Sequence, residues 1–339
     1  MKKYFAFLLC FAVMLAGCGS VSVTSDTVPQ EESESSEPEE GDIVIGISQV
    51  GSESDWRTTN TEAYRDTFTE EKGYYLIFED GQQKQENQVK ALRKFILKGV
   101  DYIVLDPIVE TGWDAVLQEA KDANIPVIIA DRNVSVEDES LYTCWVGSDF
   151  MQEGRNAGEW LAAYLKSRGR ENRDINIVTL QGTLGSTAQI GRTLGFAEVM
   201  EKHPSWNMLE YQSGDFTQAK AYEVMGYFLE TYDDIDVLIS ENDNMTFGAI
   251  EAIKEAGFRL GRNGDIIIIS FDAVRDALLL MQKGEIAADF ECNPITAPSV
   301  EEIIQKMERG DAVEKAQYID ETYFDYKMDI EMLLESREY

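Results

Sequence analysis

From residue 42 onwards the chain repeats one pattern: an apolar run, a polar turn and an amphipathic segment. The first run, 43–47, is too uniformly apolar for a half-exposed strand, so it indicates a buried parallel strand. Apolar residues with helical spacing, such as Val89, Leu92 and Ile96, indicate helices that pack on such strands. The other predicted strands are 74–78, 102–105, 126–130, 175–180, 237–240, 266–270 and 286–291. The predicted helices begin near Thr58 and at 84–98, 113–120, 151–167, 188–201, 218–231, 246–256, 274–283 and 296–309.

The alternation occurs twice, in two units of similar size that meet near Trp145 and Val146. It predicts an α/β protein with two doubly wound lobes, each built on a parallel sheet with right-handed crossovers. In such sheets a ligand binds just outside the carboxyl ends of the strands. The loops that follow the strands are therefore the expected place for a site.

The N-terminal segment has the pattern of a lipoprotein leader. Lys2 and Lys3 precede a 13-residue apolar run at 4–16, which is typical of a signal peptide and too short to span a membrane. Leu15-Ala-Gly-Cys18 resembles a bacterial lipobox, which predicts removal of residues 1–17 and lipidation of Cys18; plain secretion with a free thiol is the alternative. Residues 18–41 are rich in Ser and Glu, which predicts a disordered tether.

Composition excludes several classes of protein. The 339 residues suffice for two domains, and the formal net charge of −33 disfavours nucleic acid and anionic lipid as partners. With one histidine, His203, a His-dependent triad and a multi-His metal site are excluded. Cys144 and Cys292 lack metal-ligand spacing; two buried thiols are the simpler expectation, and a disulfide between them is the alternative that sequence leaves open. Without a calcium-loop pattern either, we expect no metal and no cofactor.

Candidate binding residues follow several predicted strands. Any one of them is explained by capping or turn formation, but together they predict a site: Asp80, Asp131 with Arg132, Asn242 and Asp272. The loop after the first strand adds Glu53, Asp55, Trp56 and Arg57. A flat aromatic ring beside acids and a guanidinium suits a polyhydroxylated ring, although a Trp that covers the core is an equal alternative.

Three further interpretations concern side-chain roles. Asp131 accepts and Arg132 donates in a fork, so the pair suits neighbouring sugar hydroxyls. Asn242 offers a donor and an acceptor, whereas Arg192 lies in a predicted helix, where a solvated charge is the alternative. Phe216 would pack either on the second face of a bound sugar ring or in the protein core.

Four segments carry a resemblance to a known family. Residues 51–57, 80–88, 119–126 and 213–216 look like the galactofuranose-binding branch of the ribose/galactose-type periplasmic binding family, which serves bacterial ABC sugar importers. The resemblance extends over roughly residues 42–310. It implies a type I periplasmic binding fold, with a three-strand hinge near 146–148, 291–294 and 320–322. The implied lobes are 42–147 plus 293–321 and 148–292 plus 322–339.

The resemblance also implies the site residues. Glu53, Asp55, Trp56, Arg57, Asp131 and Arg132 would bind sugar from the first lobe, and Arg192, Phe216, Asn242 and Asp272 from the second. This sequence departs from the branch at three positions that belong to the implied site or stand next to one of its residues. Asp55 stands where a small residue is common, Glu241 where His is expected and Ala273 where Gly is usual. The sugar, galactofuranose or a relative, therefore stays open.

The predicted function is a monomeric, lipid-anchored substrate-binding protein on the extracytoplasmic face of the membrane, which passes a monosaccharide to an ABC permease. A sugar-sensing subunit of a membrane kinase is an alternative that sequence does not separate from it. A glycosidase would need Glu53 and Asp131 as its acids, but Arg132 should keep Asp131 ionised. A transcriptional regulator would need a helix-turn-helix in place of the leader. We therefore expect no enzymatic activity.

Overall fold

The computed structural model describes residues 37–260, 264–337 and 339. The predicted leader, Cys18 and nearly all of the predicted tether lie outside the described residues. In chain order the strands are β1 Ile43–Gln49, β2 Tyr74–Asp80, β3 Tyr102–Leu105, β4 Val127–Ala130, β5 Cys144–Gly147, β6 Ile175–Gln181, β7 Trp206–Ser213, β8 Val237–Ser240, β9 Ile267–Asp272, β10 Ala288–Glu291, β11 Ala316–Tyr318 and β12 Tyr323–Asp325.

The helices alternate with these strands. They are α1 Asp55–Thr67, α2 Gln85–Lys98, α3 Asp114–Asp122, α4 Phe150–Ser167, α5 Thr187–Met200, α6 Gln218–Thr231, α7 Asp243–Glu255, α8 Arg275–Gln282, α9 Ala297–Glu308 and α10 Ile330–Ser336, with short 3-10 turns at Glu70–Lys72 and Glu139–Leu141. Within the described residues, no helix is both long and apolar enough to cross a membrane.

The strands form two six-stranded sheets, one for each lobe. Their orders are β11-β5-β4-β3-β1-β2 and β12-β10-β9-β8-β6-β7. All pairings are parallel except that of β12 with β10. The prediction of two doubly wound parallel-sheet lobes is therefore confirmed.

Apolar clusters cover both faces of each sheet, which is why the central strands read as continuous apolar runs. The chain passes between the sheets three times: after β5, after β10, and between β11 and β12. The lobe boundaries assigned from the sequence stay a prediction. Cys144 and Cys292 are buried free thiols, as expected.

The structure differs from the sequence-based assignment mainly at element ends and sheet edges. Helix α1 begins at Asp55 and not near Thr58, because the Ser54 side chain accepts a hydrogen bond from the Arg57 N–H and caps the helix three residues earlier. Strands β5, β7, β11 and β12 and helix α10 were not predicted. The earlier start of α1 brings Trp56 and Arg57 onto its first turn.

Candidate functional site

A small cavity lies between the carboxyl ends of the two sheets. Both lobes contribute to its lining, which consists of Glu53, Ser54, Trp56, Arg57, Asp131, Arg132, Phe150, Ala188, Arg192, Phe216, Asn242, Asp272 and Cys292. The structure thus brings together nine of the ten predicted ligand-binding residues; Asp55 lies elsewhere.

Two arginines and two carboxylates form the first-lobe wall. Arg57 Nη2 lies 2.8 Å from Asp131 Oδ2 and 3.4 Å from Glu53 Oε1. Arg132 also donates to Glu53 Oε1. The left-handed backbone of Asp131, with φ +58°, turns its carboxylate to this network. All four side chains are buried, and their mutual contacts hold their orientations in this structure.

Asp106 is a further partner of this wall, and the sequence analysis did not assign it to the site. Its Oδ2 lies 3.5 Å from Arg57 Nη1, and burial raises the pKa of Asp106 to about 8 although Arg57 opposes the shift. Asp106 directly follows β3, so it carries the same strand-end signal as Asp131. Arg57 therefore faces three carboxyl groups from three loops.

Arg192 organises the second-lobe wall from α5. Its Nε lies 2.6 Å from Glu153 Oε2, its Nη2 lies 3.3 Å from Asp272 Oδ1, and its Nη1 donates to the carbonyl oxygen of Glu241. Arg192 is 3% exposed, so the interpretation as a solvated helix charge is wrong. Glu153, on α4, was not predicted, and no local pattern marks it.

Phe216 and Asn242, which follow the carboxyl ends of β7 and β8, are joined by a hydrogen bond. Asn242 caps α7 by accepting from the Met245 N–H at 2.9 Å, and its side-chain amide donates to the Phe216 carbonyl at 3.2 Å. The Phe216 ring contacts the position where a side chain on Gly182 would stand. The guanidinium of Arg132 lies 4.8 Å from the Phe216 ring centre, so this aromatic face meets the opposite lobe inside the cavity.

Trp56 both lines the cavity and packs on the core of the second lobe. Its Nε1 donates to the carbonyl oxygen of Cys292 at 2.6 Å, and the Arg57 guanidinium lies 4.6 Å from its ring centre. The sequence analysis left two roles open for Trp56, a stacking surface in the site or a side chain that covers the core. In the structure Trp56 occupies both positions.

Comparison with known proteins identifies the family. A family model described as a periplasmic binding protein domain matches residues 45–294. The chain belongs to the periplasmic binding protein family. It is 42% identical to the galactofuranose-binding protein YtfQ of Escherichia coli over 270 residues, which is 79% of this chain and 82% of that protein.

Two solved structures share this fold. The binding component of the arabinose ABC transporter of Shewanella sp. ANA-3, bound to arabinofuranose, is 41% identical with a TM-score of 0.81, covering 87% of this chain and 95% of the other. A Mycobacterium smegmatis protein in complex with β-D-fucofuranose is 39% identical with a TM-score of 0.81, covering 87% and 97%.

Asp55 does not reach the cavity of this periplasmic binding protein. It is exposed at the first turn of α1, where its N–H donates to Asn244 Oδ1 at 3.0 Å and its Oδ2 accepts from Asn244 Nδ2 at 3.1 Å. Because Cβ directions change by about 100° per residue on a helix, Trp56 and Arg57 turn inward while Asp55 turns to α7. Asp55 thus joins the lobes outside the cavity.

Two backbone contacts join the lobes elsewhere around the cavity. The Glu110 N–H donates to the Gly185 carbonyl at 2.8 Å, and the Asn133 N–H donates to Thr187 Oγ1 at 2.9 Å. Together with the bonds from Asp55 and Trp56, these contacts hold the lobes against each other. The structure therefore shows a closed arrangement.

One group of described residues brings three potential metal ligands together, with donor atoms of Glu153, Cys292 and Glu321 within 4.8 Å of one another. The Glu153 carboxylate is already paired with Arg192, and Glu321 Oε1 accepts from Ser148 Oγ and from the Asn293 N–H, both at 2.7 Å. Protein donors thus hold one oxygen of each carboxylate, while Glu153 Oε1 is buried without a hydrogen-bond partner. The expected absence of a metal stays a prediction.

Stability should fall as the pH rises. Burial raises the pKa of Glu153 to about 7, of Asp106 and Glu241 to about 8 and of Glu321 to about 9. Because these groups have pKa values of about 4 when unfolded, the folded state binds more protons between those limits. We expect the melting temperature to decrease from about pH 5 to about pH 9 at constant ionic strength, and Glu321→Gln to flatten the decrease. A melting temperature that rises over this interval would contradict the assignment.

Proposed function

We propose that this protein is the sugar-binding component of an ABC importer and that its ligand is a monosaccharide in furanose form, galactofuranose or a related sugar. The observation that carries the proposal is the cavity between the lobes, whose lining contains buried arginine–carboxylate pairs from both lobes. The names of the three relatives described above, which concern galactofuranose, arabinofuranose and fucofuranose, support the choice of a furanose.

In this proposal the side chains divide by role. Trp56 and Phe216 supply aromatic faces, and the charged and amide groups pair the hydroxyls, because an unpaired buried polar group costs about 1–3 kcal/mol. The hydroxyl partners are Glu53, Arg57, Asp131, Arg132, Arg192, Asn242 and Asp272. Glu53 Oε2 is buried without a hydrogen-bond partner, which favours a ligand hydroxyl beside it. No covalent step is assigned to these residues; binding favours the closed form.

The three departures from the galactofuranose-binding branch do not alter the described cavity lining. Asp55 pairs with Asn244 outside it. Glu241 accepts from the Gly182 N–H and from Thr193 behind the wall, and the Ala273 side chain is absent from the lining. These departures therefore give no reason to reject a furanose as the ligand.

The charge of the lining favours a neutral sugar. Each of the three arginines is already paired with carboxyl groups of the protein: Arg57 with Glu53, Asp106 and Asp131, Arg132 with Glu53, and Arg192 with Glu153 and Asp272. A uronic acid would therefore bring a further negative charge into a buried network with no unpaired guanidinium to receive it.

A melting-temperature screen tests the proposed function. At a concentration of 100 times its Kd a ligand adds about 2.7 kcal/mol of stability. L-arabinose, D-galactose and D-fucose should raise the melting temperature, whereas D-galacturonate should not, and calorimetry should then give a stoichiometry of one. No shift with any neutral sugar would reject the proposal.

We also propose that the mature protein is anchored through Cys18 on the extracytoplasmic face of the membrane and delivers sugar to a permease. The leader and the Leu-Ala-Gly-Cys sequence support the anchor. The sensor alternative has less support, because the relative from Shewanella belongs to a transporter. Cys18→Ser should move the protein from the membrane fraction of expressing cells to the soluble fraction or leave the leader attached. Wild-type protein recovered as soluble, with an unmodified Cys18, would refute the anchor.

A further inference from the structure

The turn that presents Asp272 to the cavity has an unfavourable backbone conformation. Asp272 has φ +104° and Ala273 has φ +58°, in the region that residues with a Cβ rarely adopt. Two such residues in succession persist only where the surroundings fix them. Asp272 is the terminal residue of β9, and its carboxylate lies 3.3 Å from Arg192.

Two buried carboxyl groups hold the N–H groups of this turn. Asp289 Oδ1 accepts from the Ala273 N–H at 3.1 Å, and Asp243 Oδ2 accepts from the Val274 N–H at 2.8 Å. Both acids are fully buried, at 0% exposure. The two carboxyl groups thus accept from the N–H groups of the turn, whereas the carbonyl groups of the turn need donors from elsewhere.

Arg337 holds the carbonyl groups from the other side. Its Nε and Nη2 donate to the Ala273 carbonyl at 2.9 and 2.6 Å, and Nη2 lies 3.5 Å from the Asp272 carbonyl. Its Nη1 donates to Glu291 Oε1, and its guanidinium lies 5.1 Å from the Phe324 ring centre. A planar fork with several donors is needed to hold these oxygens together, and lysine lacks it.

We propose that Arg337 is a positioning residue for sugar binding, which acts by fixing the Asp272–Ala273 turn although it does not line the cavity. The inference rests on the proposed function. Without the guanidinium, the turn relaxes towards ordinary backbone angles and the Asp272 carboxylate leaves the place where Arg192 and the sugar meet it. Asp289 and Asp243 hold only N–H groups, and the Cys292 N–H donates to the Asp272 carbonyl at 3.4 Å. None of these groups holds the Ala273 carbonyl, which accepts from Arg337.

The first test compares Arg337→Ala with the wild type, using L-arabinose and D-galactose in calorimetry. We expect the Kd to rise about tenfold, as for groups coupled through one backbone segment. Arg337→Lys should lose about as much. The control is Arg309→Ala, which removes an exposed arginine paired with Asp311 on the surface and should leave the Kd unchanged. Wild-type affinity in folded Arg337→Ala, or in Arg337→Lys, would overturn the inference.

A double-mutant cycle separates positioning from a general structural effect. Asp272→Gly removes the carboxylate while glycine tolerates the positive φ. If Arg337 acts through Asp272, then Arg337→Ala should change sugar binding less than about twofold in the Asp272→Gly background, measured by melting-temperature titration. A full tenfold loss in that background would overturn the inference.

Hydrogen exchange without sugar tests the turn independently of the ligand. In Arg337→Ala the amides of Ala273 and Val274 should exchange faster, while β6 and β8 keep wild-type protection. Unchanged protection at both amides would overturn the inference. If the wild type binds no furanose, the proposed function fails, yet the exchange experiment still decides whether Arg337 fixes the turn.

Discussion

Asp131→Asn is expected to raise the Kd for the bound sugar about 100-fold. The variant removes a charged acceptor whose hydrogen bonds contribute about 1.5–3 kcal/mol, and about 1.4 kcal/mol corresponds to a factor of ten. It also replaces the charged 2.8 Å partner of Arg57 with a neutral amide. Asn is preferable to Ala here because the backbone of Asp131 has φ +58°, which Asn tolerates better. Titration calorimetry measures the change.

A matched control distinguishes loss of the site from loss of the fold. Asp66→Ala removes an exposed acid from α1 and should leave the affinity unchanged. The ligand-free melting temperature of both variants reports folding. A folded Asp131→Asn variant with the wild-type Kd would remove Asp131 from the proposed site.

Arg57→Met is expected to lower the free energy of unfolding by about 3–5 kcal/mol, which is the cost of removing one partner from a buried ionic network. Arg57 is 2% exposed and faces Glu53, Asp106 and Asp131. Methionine preserves much of the packing volume, so the loss reports the orphaned carboxylates. Denaturant unfolding near neutral pH measures it.

The pH dependence and a surface variant test the cause of this loss. At about pH 5 the orphaned carboxyl groups take up protons more readily, so the loss should shrink. Arg93→Met breaks a half-exposed pair with Glu119 and should cost less than about 1 kcal/mol. Equal losses in the two variants would show that burial of the Arg57 network has no special energetic effect.

The sequence predicts seven of the eight interior strands of the described sheets, missing β5, but only β2 of the four edge strands, and there is a physical reason for the difference. Central strands such as β4 and β9 are covered on both faces and give continuous apolar runs. Strand β7 lies at a sheet edge and is half-exposed, with Glu210 and Gln212 interrupting its apolar residues. Such a segment becomes a strand through pairing with β6, which local sequence does not encode.

The same distinction applies to the site. Asp131, Asn242 and Asp272 were predictable because they follow strands whose carboxyl ends converge. Asp106 also follows a predicted strand, but the Asp106-Pro107 sequence is typical of an ordinary turn, so it did not indicate a site residue. Glu153 reaches the site because α4 packs closely on α5, which carries Arg192. Only the tertiary structure shows that contact.

The bond between Trp56 and the carbonyl oxygen of Cys292 has a spectroscopic consequence. In the closure that we propose, separation of the lobes breaks this bond and brings water to the indole. The four other tryptophans each pack within the core of a single lobe: Trp113, Trp145, Trp160 and Trp206. The intrinsic fluorescence of Trp56 therefore gives the molecule a built-in optical reporter, whose emission wavelength distinguishes open from closed protein without an added dye.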